Sequence, residues 1–261
     1  MTCSSISPVA SAVSHATIGS LVSGPQLVEY LRERCENEFP FFVRYFFFVR
    51  KGTRFVFNSH HHVICRDLQG VYEGKYEGYV CNVPPRYGKT ELIVVMFILW
   101  CFVKNRRCEF IHLSYSLPLA LENSDAIRSI MKSSEFQQLW PDFRARDGKD
   151  ATKSWATSEG GVFYASQAGG GITGFGAGRL DEWNEHTKVF RFSGAIVIDD
   201  PVKPDDAQYE RKRKNINGRW HSTIKSRRNS PRTPVICVMQ RIDHDDFTAE
   251  LLSDKIGRAH V

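Results

Sequence analysis

The chain has 261 residues, of which 42% are hydrophobic and 25% are charged. This length is enough for one large domain with a sizeable core, and the composition excludes a protein that is disordered over most of its length. The net charge of +6 permits a polyanionic partner such as DNA or a nucleotide without requiring one. Seven scattered cysteines without a CxxC pair are typical of reduced thiols in a reducing compartment rather than of a disulfide framework.

The first part of the chain is the least regular. Residues 1–24 lack a basic stretch followed by an apolar one, so we expect a flexible N-terminal tail and not a signal peptide. Helical spacing predicts helices over Leu27–Glu38 and His62–Gln69, and Arg54–Phe57 is compatible with a strand. Phe41–Arg50 is rich in aromatic residues, but its two arginines and its short length favour burial in the core over a membrane surface.

From Tyr79 onward, β-rich runs alternate with helical patterns, which predicts an α/β fold with a mainly parallel sheet and helices on both faces. The predicted strands are Tyr79–Val83, Glu109–Ser114, Gly161–Ser166, Ala195–Asp199 and Pro234–Met239. The predicted helices are Lys89–Val103, Pro118–Ser133, Asp205–Arg227 and Asp245–Ser253. We expect residues 25–255 to form one domain. Its longest apolar run, twelve residues over Leu92–Val103, is too short to span a membrane, so no membrane partner is expected.

A phosphate-binding loop is predicted over Val83–Glu91, where a strand ends and an apolar helix begins. Its Gly88-Lys89-Thr90 sequence matches the end of the pattern G-x-x-x-x-G-K-[ST], whereas Val83 replaces the first glycine. The glycine lets the backbone approach phosphates, the lysine neutralises β and γ oxygens, and the threonine hydroxyl can ligate Mg²⁺. The predicted nucleotide-binding residues are Pro85, Arg86, Tyr87, Gly88, Lys89, Thr90 and Glu91. The alternative is a GKT tripeptide in an ordinary surface turn.

Two carboxylates, Asp199 and Asp200, follow four apolar residues at the end of a predicted strand. The carboxyl ends of parallel strands meet at one edge of a sheet, where the phosphate loop also opens. We therefore expect Asp199 and Thr90 to hold Mg²⁺, and Asp200 to polarise the water that attacks the γ-phosphate. Two alternatives stay open: both aspartates on the metals of a nuclease, or a strand that runs into an Asx/Pro turn.

The next predicted strand ends in Gln240 and Arg241. Gln240 is the candidate sensor that passes loss of the γ-phosphate to neighbouring elements. Arg86 and Arg241 are the candidate cations for the transition state, and an ordinary surface arginine is the alternative for each. The predicted catalytic residues are therefore Asp200, Lys89, Arg86 and Arg241.

Three further patterns keep more than one interpretation. Nine Lys or Arg residues and no acid lie between Arg211 and Arg232, which suits either contact with a phosphate backbone or a solvated helix face. The glycine-rich segment 169–178 predicts a DNA-gripping or hinge loop, or a passive linker. Zinc at His60–His62 with Cys65 is disfavoured because no second ligand pair has matching spacing. The candidate DNA-binding residues are Arg211, Lys212, Arg213, Lys214, Lys225, Arg227 and Arg228.

Over about His60–Ser253 the chain resembles the large terminase subunits of tailed bacteriophages and related viruses. The resemblance lies in PPRYGKTE, in Ser114-Tyr115-Ser116 with Ala120 and Asn123, in GGGITGFGAG from Gly169 to Gly178, in VIDDP, and in MQRIDHDDFTAELL from Met239 to Leu252. It implies a RecA-like P-loop ATPase that uses ATP and Mg²⁺ to drive double-stranded DNA through the portal of a procapsid. It also implies the small terminase subunit as a partner, a homo-oligomeric ring, and a place in the host cytoplasm. The stretch around His60 would lie near the adenine base.

The chain departs from that family in several places. Residues 179–192 form a longer segment than in many relatives, and Asp200 stands where the family often has glutamate. We expect the family's C-terminal nuclease, and hence endonuclease activity, to be missing. Residues 256–261 look like a translated read-through and are excluded from the fold prediction. The rival functions are another P-loop motor, such as a helicase or remodelling ATPase, and a non-catalytic DNA-binding subunit with a decayed nucleotide site.

Overall fold

The computed structural model describes residues 24–180, 183–184, 189–254 and 258–260. Its centre is an eight-stranded sheet with the order β10-β1-β9-β8-β2-β5-β4-β3. The first six of these strands are parallel, and β4 and β3 are antiparallel to their neighbours. The strands are β1 Gly78–Asn82, β2 Glu109–Ser114, β3 Ala145–Ala151, β4 Ser154–Thr157, β5 Val162–Gln167, β8 Ile196–Asp199, β9 Val235–Met239 and β10 Arg258–His260, and β6 Trp183–Asn184 pairs separately with β7 Val189–Phe190.

The helices cover both faces of this sheet. In chain order they are α1 Pro25–Asn37, α2 Phe39–Lys51, α3 Ser59–Tyr72, α4, α5 Leu117–Met131, α6 Ser134–Leu139, α7 Pro204–Ala207, α8 Glu210–Arg219 and α9 Phe247–Ser253. Helix α4 has π-helical bonding over Glu91–Met96 and α-helical bonding over Phe97–Lys104. Helix α8 runs on through a π-helical segment, Trp220–Ile224, and a 3-10 turn, Lys225–Arg227. Among the described residues no helix is both long and apolar enough to cross a membrane.

Two apolar cores lie on opposite sides of the sheet, because alternate residues of each strand point to opposite faces. On one side, Tyr79 and Cys81 of β1 pack in a core that includes α4, which is buried from Leu92 to Val103. On the other side, Val80 belongs to a core with Trp220 and Phe247. The predicted α/β class, with a mainly parallel sheet and helices on both faces, is confirmed.

The aromatic segment 41–50 lies within helix α2, and its predicted burial is confirmed. Phe42, Val43 and Phe46 are fully buried. The ring of Phe46 lies 5.7 Å from that of Phe136 and 5.8 Å from that of Trp140, measured between centroids. Helix α2 therefore packs its aromatic face against α6 and the residue that follows it.

Several elements differ from their predictions. Arg54–Phe57 is not a strand but an extended connection, in which the ring of Phe55 packs 5.0 Å from that of His61. The helix predicted over 205–227 is interrupted, because Tyr209 has extended backbone angles and begins a second helix. The antiparallel pair β3 and β4 and the short helix α6 were not predicted, since their sequences show neither strand alternation nor a full helical period.

The ends of the chain lie mostly outside the described residues. These include the predicted tail up to residue 23, and residues 255–257 and 261. The backbone of Arg258–His260 pairs in parallel with Tyr79–Cys81 at the edge of the sheet. The interpretation of 256–261 as a read-through stays a prediction. Cys3 also lies outside the described part, within which all six cysteines are buried and none forms a disulfide.

Candidate nucleotide-binding site

The phosphate loop and the two aspartates meet at the carboxyl edge of the sheet. Strand β9 lies between β1, which precedes the loop, and β8, which ends in Asp199. Two strand spacings separate β1 from β8 by about 10 Å. The helical turn that starts at Lys89 bridges this distance, so that its first side chains reach the end of β8.

The loop turns sharply although its first glycine is replaced by Val83. The Val83 N–H donates to the carbonyl of Met239 over 3.2 Å, which ties the start of the loop to β9. Arg86 and Gly88 complete the turn with left-handed φ angles of 68° and 72°. A Cβ at Gly88 would lie 3.2 Å from the Nε2 atom of His61 as well as in a strained conformation, so this position favours glycine.

Lys89 and Thr90 each contact one of the two aspartates. The Nζ atom of Lys89 lies 2.9 Å from Oδ2 and 3.1 Å from Oδ1 of Asp200. The Thr90 hydroxyl donates to Oδ2 of Asp199 over 2.9 Å. Lys89 and Asp199 are buried, whereas 27% of the Asp200 side chain is exposed. One ammonium, one hydroxyl and two carboxylates therefore converge at the start of α4.

Asp199 carries the strongest electrostatic perturbation at this edge. Burial raises the pKa of Asp199 to about 7, and the negative charge of Asp200 acts in the same direction. The Thr90 hydroxyl, the charge of Lys89 and the Asn123 amide lower it. The Oδ1 atom of Asp199 is buried and has no hydrogen-bond partner of ordinary geometry among the described residues. An unsatisfied carboxylate oxygen beside a hydroxyl fits a hard divalent cation such as Mg²⁺.

The backbone of Asp200 is held in an unusual conformation. Its φ angle is 42°, in the left-handed region that residues other than glycine rarely adopt. The Asp200 N–H donates to the carbonyl of Val238 over 2.9 Å, and its carbonyl accepts from the Tyr115 N–H over 3.1 Å. Both neighbouring strands thus fix the turn, and the turn directs the carboxylate toward Lys89.

These groups line a cleft of about 440 Å³, large enough for a phosphate chain and part of a nucleoside. Its walls come from the phosphate loop, the end of α2, the start of α4 and one side of α5. The lining residues are Arg50, Lys51, Pro85, Arg86, Gly88, Lys89, Thr90, Glu91, Val95, Glu122, Asn123, Ala126 and Asp200. Of the predicted nucleotide-binding residues, only Tyr87 is not among them; its ring is half exposed and lies 5.4 Å from that of His60.

Two cations of the cleft, Arg50 and Lys51, were not predicted. Arg50 forms an ion pair with Glu91, and less than a fifth of either side chain is exposed. The signal in the sequence is weak, because two cations at the end of a helix are also what the helix dipole favours anywhere on a surface. Arg50 and Lys51 thus add two positive charges to those of Arg86 and Lys89 in the wall of the cleft.

Gln240 and Arg241 lie at the end of β9, next to both site strands. Arg241 is not among the lining residues: its Nε atom donates to Oδ2 of Asp246 over 3.0 Å. Asp246 caps the N-terminus of α9, so Arg241 holds the start of that helix. Gln240 is half-buried directly after Met239. The sensor and transition-state roles assigned to these two residues stay predictions.

The seven predicted DNA-binding residues fall into two groups. Arg213 is buried and pairs with Asp243 and Asp245 at 3.1 and 2.6 Å, and Lys225 pairs with Asp254 at 2.7 Å. These two cations connect α8 and the turn after it to the region around α9. The other five, which are exposed or half-buried, are Arg211, Lys212, Lys214, Arg227 and Arg228.

The histidine stretch 60–62 and the glycine-rich segment 169–178 both contact other parts of the chain. The ring nitrogens of His61 contact the Asn58 N–H and the Tyr87 carbonyl, both at 3.0 Å, which leaves neither for zinc. The glycine-rich segment is held to the helix after it, because the guanidinium of Arg219 donates to the carbonyls of Ala168 and Gly170. His61 therefore supports the phosphate loop, and the glycine-rich segment is anchored at its start.

Comparisons with known proteins give a distant structural similarity. No protein-family model matches the chain, and no curated protein matches it. Among solved structures, it is similar to the HK97 bacteriophage large terminase, with a TM-score of 0.45 and 12% identity. The similarity covers 81% of this chain and 41% of that one, so the chain spans about two fifths of the length of that terminase. The chemistry of the cleft therefore has to follow from its own residues.

Proposed function

We propose that the chain is a Mg²⁺-dependent ATPase and the motor of a viral packaging terminase. In this role, hydrolysis of ATP drives the translocation of double-stranded DNA. The observation that carries the ATPase part is the convergence of two distant motifs. Lys89 on Asp200 and Thr90 on Asp199 join residues 111 and 109 positions apart at one edge of a parallel sheet. A surface turn that contains GKT by chance has no reason to place its lysine and threonine on two adjacent carboxylates at the end of a buried strand.

The residues divide the work as follows. The backbone at Gly88 and the ammonium of Lys89 bind the β- and γ-phosphates at the start of α4. The Thr90 hydroxyl and Oδ1 of Asp199 would hold Mg²⁺, and the ion would supply positive charge to the phosphates. Asp200, in a turn that two backbone hydrogen bonds hold in place, orients the attacking water and accepts its proton. Besides Lys89, the cations of the cleft that could stabilise the charge of the transition state are Arg86, Lys51 and Arg50, the last of which is paired with Glu91.

The DNA motor part of the proposal rests on two further features. The five motifs of the sequence occur in the order found in packaging terminases. The exposed cations Arg211, Lys212 and Lys214 lie on α8, whose chain leads through Arg227 and Arg228 to β9 and Gln240. This continuity gives a route by which a change at the γ-phosphate could reach a DNA-binding surface. The proposal includes the small terminase subunit, a procapsid portal, a homo-oligomeric ring and the host cytoplasm as the setting.

The test is ATP turnover by the 261-residue chain with and without Mg²⁺ and double-stranded DNA. Lys89→Ala and Asp200→Asn should each lower turnover by about 100-fold or more, because each removes a charge that acts on the reacting phosphate or water. Asp142→Asn is the matched control, because Asp142 is exposed and does not line the cleft. This substitution should leave turnover unchanged.

The outcomes separate the functions. Turnover that needs Mg²⁺ and is lost in both variants supports the ATPase, and packaging of DNA into portal-bearing procapsids would then test the motor. Strand separation of a duplex by the active chain would favour a helicase instead. A wild-type chain that binds DNA and neither binds nor hydrolyses ATP would contradict the proposal and favour a non-catalytic subunit.

A further inference from the structure

A largely buried ion pair joins the end of α2 to the start of α4 in the wall of the cleft. The Nη2 atom of Arg50 donates to Oε2 of Glu91. The side chains are 15% and 18% exposed, and both residues line the cleft. The pair therefore lies where a ligand of the cleft would meet it.

This pair makes one hydrogen bond where two are possible. A guanidinium and a carboxylate can face each other through two parallel N–H···O bonds. Here Nε of Arg50 and Oε1 of Glu91 are buried, and neither has a hydrogen-bond partner among the described residues. Burial of a charged donor or acceptor without its hydrogen bond is unfavourable, so part of the desolvation of both groups is not offset. A ligand with several acceptor oxygens can therefore compete with Glu91 for the guanidinium.

Lys89 is held in a similar way on the same cleft. Its ammonium contacts the carboxylate of Asp200 at 2.9 Å, in the place where we expect it to bind phosphate. Two cations of the cleft wall are thus each paired with a carboxylate of the same wall. A phosphate group offers more acceptor oxygens than a carboxylate and fits the planar fork of an arginine through two hydrogen bonds. These properties favour phosphate as the ligand that replaces Glu91 at Arg50.

We propose that Arg50 is a phosphate-binding residue of the cleft and that Glu91 holds its guanidinium until a nucleotide binds. Binding then exchanges a carboxylate oxygen of Glu91 for oxygens of the phosphate chain. The inference rests on the proposed function, because it assigns a residue and a competitor to the same nucleotide site. Glu91 lowers the affinity for the nucleotide, since the arginine has to leave it before it can bind phosphate.

The experiment measures binding of ATP with Mg²⁺ to the 261-residue chain by titration calorimetry, and binding of tripolyphosphate by competition with ATP. Arg50→Gln should raise the Kd for both ligands by about 10-fold or more, because a charge-assisted hydrogen bond to phosphate is lost. Glu91→Gln should lower the Kd for ATP by up to about 10-fold, because the arginine is no longer held by a carboxylate. Arg54→Gln is the matched control, since Arg54 is exposed and does not line the cleft.

Opposite effects of the two substitutions distinguish an exchange from a purely structural ion pair. If the pair only holds α2 against α4, Glu91→Gln should weaken ATP binding as Arg50→Gln does, or neither should change it, and either result overturns the inference. An Arg50→Gln variant that binds ATP more weakly but tripolyphosphate as wild type does would place the contact on the nucleoside and overturn it too. If Arg50→Gln does not fold, Glu91→Gln decides: tighter binding supports the exchange, and unchanged or weaker binding contradicts it.

The result for the wild-type chain separates this inference from the proposed function. A folded wild-type chain that does not bind ATP contradicts the proposed function, and the inference with it. A wild-type chain that binds ATP, beside a folded Arg50→Gln variant with an affinity within twofold of wild type, overturns the inference alone.

Discussion

At the scale of single residues, backbone strain is concentrated at the cleft. Arg86 and Asp200 are the two residues other than glycine with positive φ angles in the described part of the chain. Conformations of this kind cost about 1–3 kcal/mol each and persist only where the surroundings fix them. One residue shapes the phosphate loop and the other directs the carboxylate at the end of β8. The strained positions therefore coincide with the positions that the proposed chemistry requires.

The raised pKa of Asp199 predicts how stability depends on pH. Folding moves this pKa from 3.8 to about 7, so between these values the folded chain binds more protons than the unfolded one. Stability therefore falls as pH rises through this window. The Asp199→Asn side chain cannot ionise, so the variant does not lose this stability. Its free energy of unfolding minus that of wild type should therefore increase between pH 4 and pH 8, by a few kcal/mol at most. Urea unfolding with EDTA at a series of pH values measures this gain.

The control for this pH series is again Asp142→Asn, because Asp142 is exposed. Its stability should follow that of wild type at every pH. A constant difference between Asp199→Asn and wild type over the whole series would show that the Asp199 carboxyl titrates as in the unfolded chain. The proposed desolvation at the end of β8 would then be wrong.

At the scale of elements, helix α2 has two tasks. Its middle is part of the aromatic core with Phe136 and Trp140, and its end places Arg50 and Lys51 in the cleft. Gly52 ends the helix with a left-handed φ of 69°, directly after these cations. The position of the cations at the cleft thus depends on how the aromatic face of α2 packs.

The packing of α2 on the core can be tested at Phe46, whose ring is fully buried. Phe46→Ala should lower the free energy of unfolding by about 3–5 kcal/mol, because it removes a fully buried ring and leaves a cavity between α2 and α6. Val56→Ala, at a valine that is 73% exposed, should change it by less than about 0.5 kcal/mol. Urea unfolding measures both values. A small effect of Phe46→Ala would show that α2 packs loosely on the core.

The same elements show what the sequence predicts and what it does not. The central strands and α4 were predicted because buried parallel strands and a fully buried helix have largely continuous apolar runs in the sequence. Asp199 and Asp200 were predicted because they follow directly on such a run, and Lys89 and Thr90 because their Gly-Lys-Thr pattern stands just before one. These signals are local, so they can be recognised in the sequence without knowledge of the packing.

Features that depend on packing between distant elements were not predicted. Arg50 meets Glu91 across 41 positions, and nothing local to either residue indicates it. His112 is an ordinary polar residue in sequence, and only its burial on β2 brings it to the carbonyl of Val197 on β8 and to the Asn123 amide. Arg241 shows the opposite case: Asp246, five positions away, offers a local partner that the strand-end pattern does not reveal.

At the scale of the whole molecule, fewer of the Lys and Arg side chains of segment 211–232 are available to contact DNA than their number implies. Arg213 and Lys225 are used in ion pairs that hold elements together, and Lys214 pairs with Glu210 at 2.5 Å. Arg211 is exposed and forms no ion pair with any residue that the structure describes. The surface of α8 is therefore the part of the basic segment best placed to meet a phosphate backbone.

The salt dependence of DNA binding tests this surface. If Arg211 contacts a phosphate, Arg211→Ala should weaken binding to every duplex sequence and reduce the slope of log Kobs against log salt by about one. Lys75→Ala removes an exposed charge from the turn after α3 and should leave the slope unchanged. Equal slopes for Arg211→Ala and wild type would move the DNA surface away from α8. Fluorescence anisotropy with a labelled duplex at several salt concentrations gives the slopes.

The place of β9 between β1 and β8 also has a consequence for synthesis of the chain. The phosphate loop and both aspartates leave the ribosome before Val235–Met239 does, at about 5–20 residues per second. Until β9 arrives, β1 and β8 present open edges to each other, and their hydrogen-bonding partner does not yet exist. Translation thus completes both motifs before the sheet that aligns them can close. A message that stops short of Val235 would encode the phosphate loop and both aspartates without the strand that aligns them.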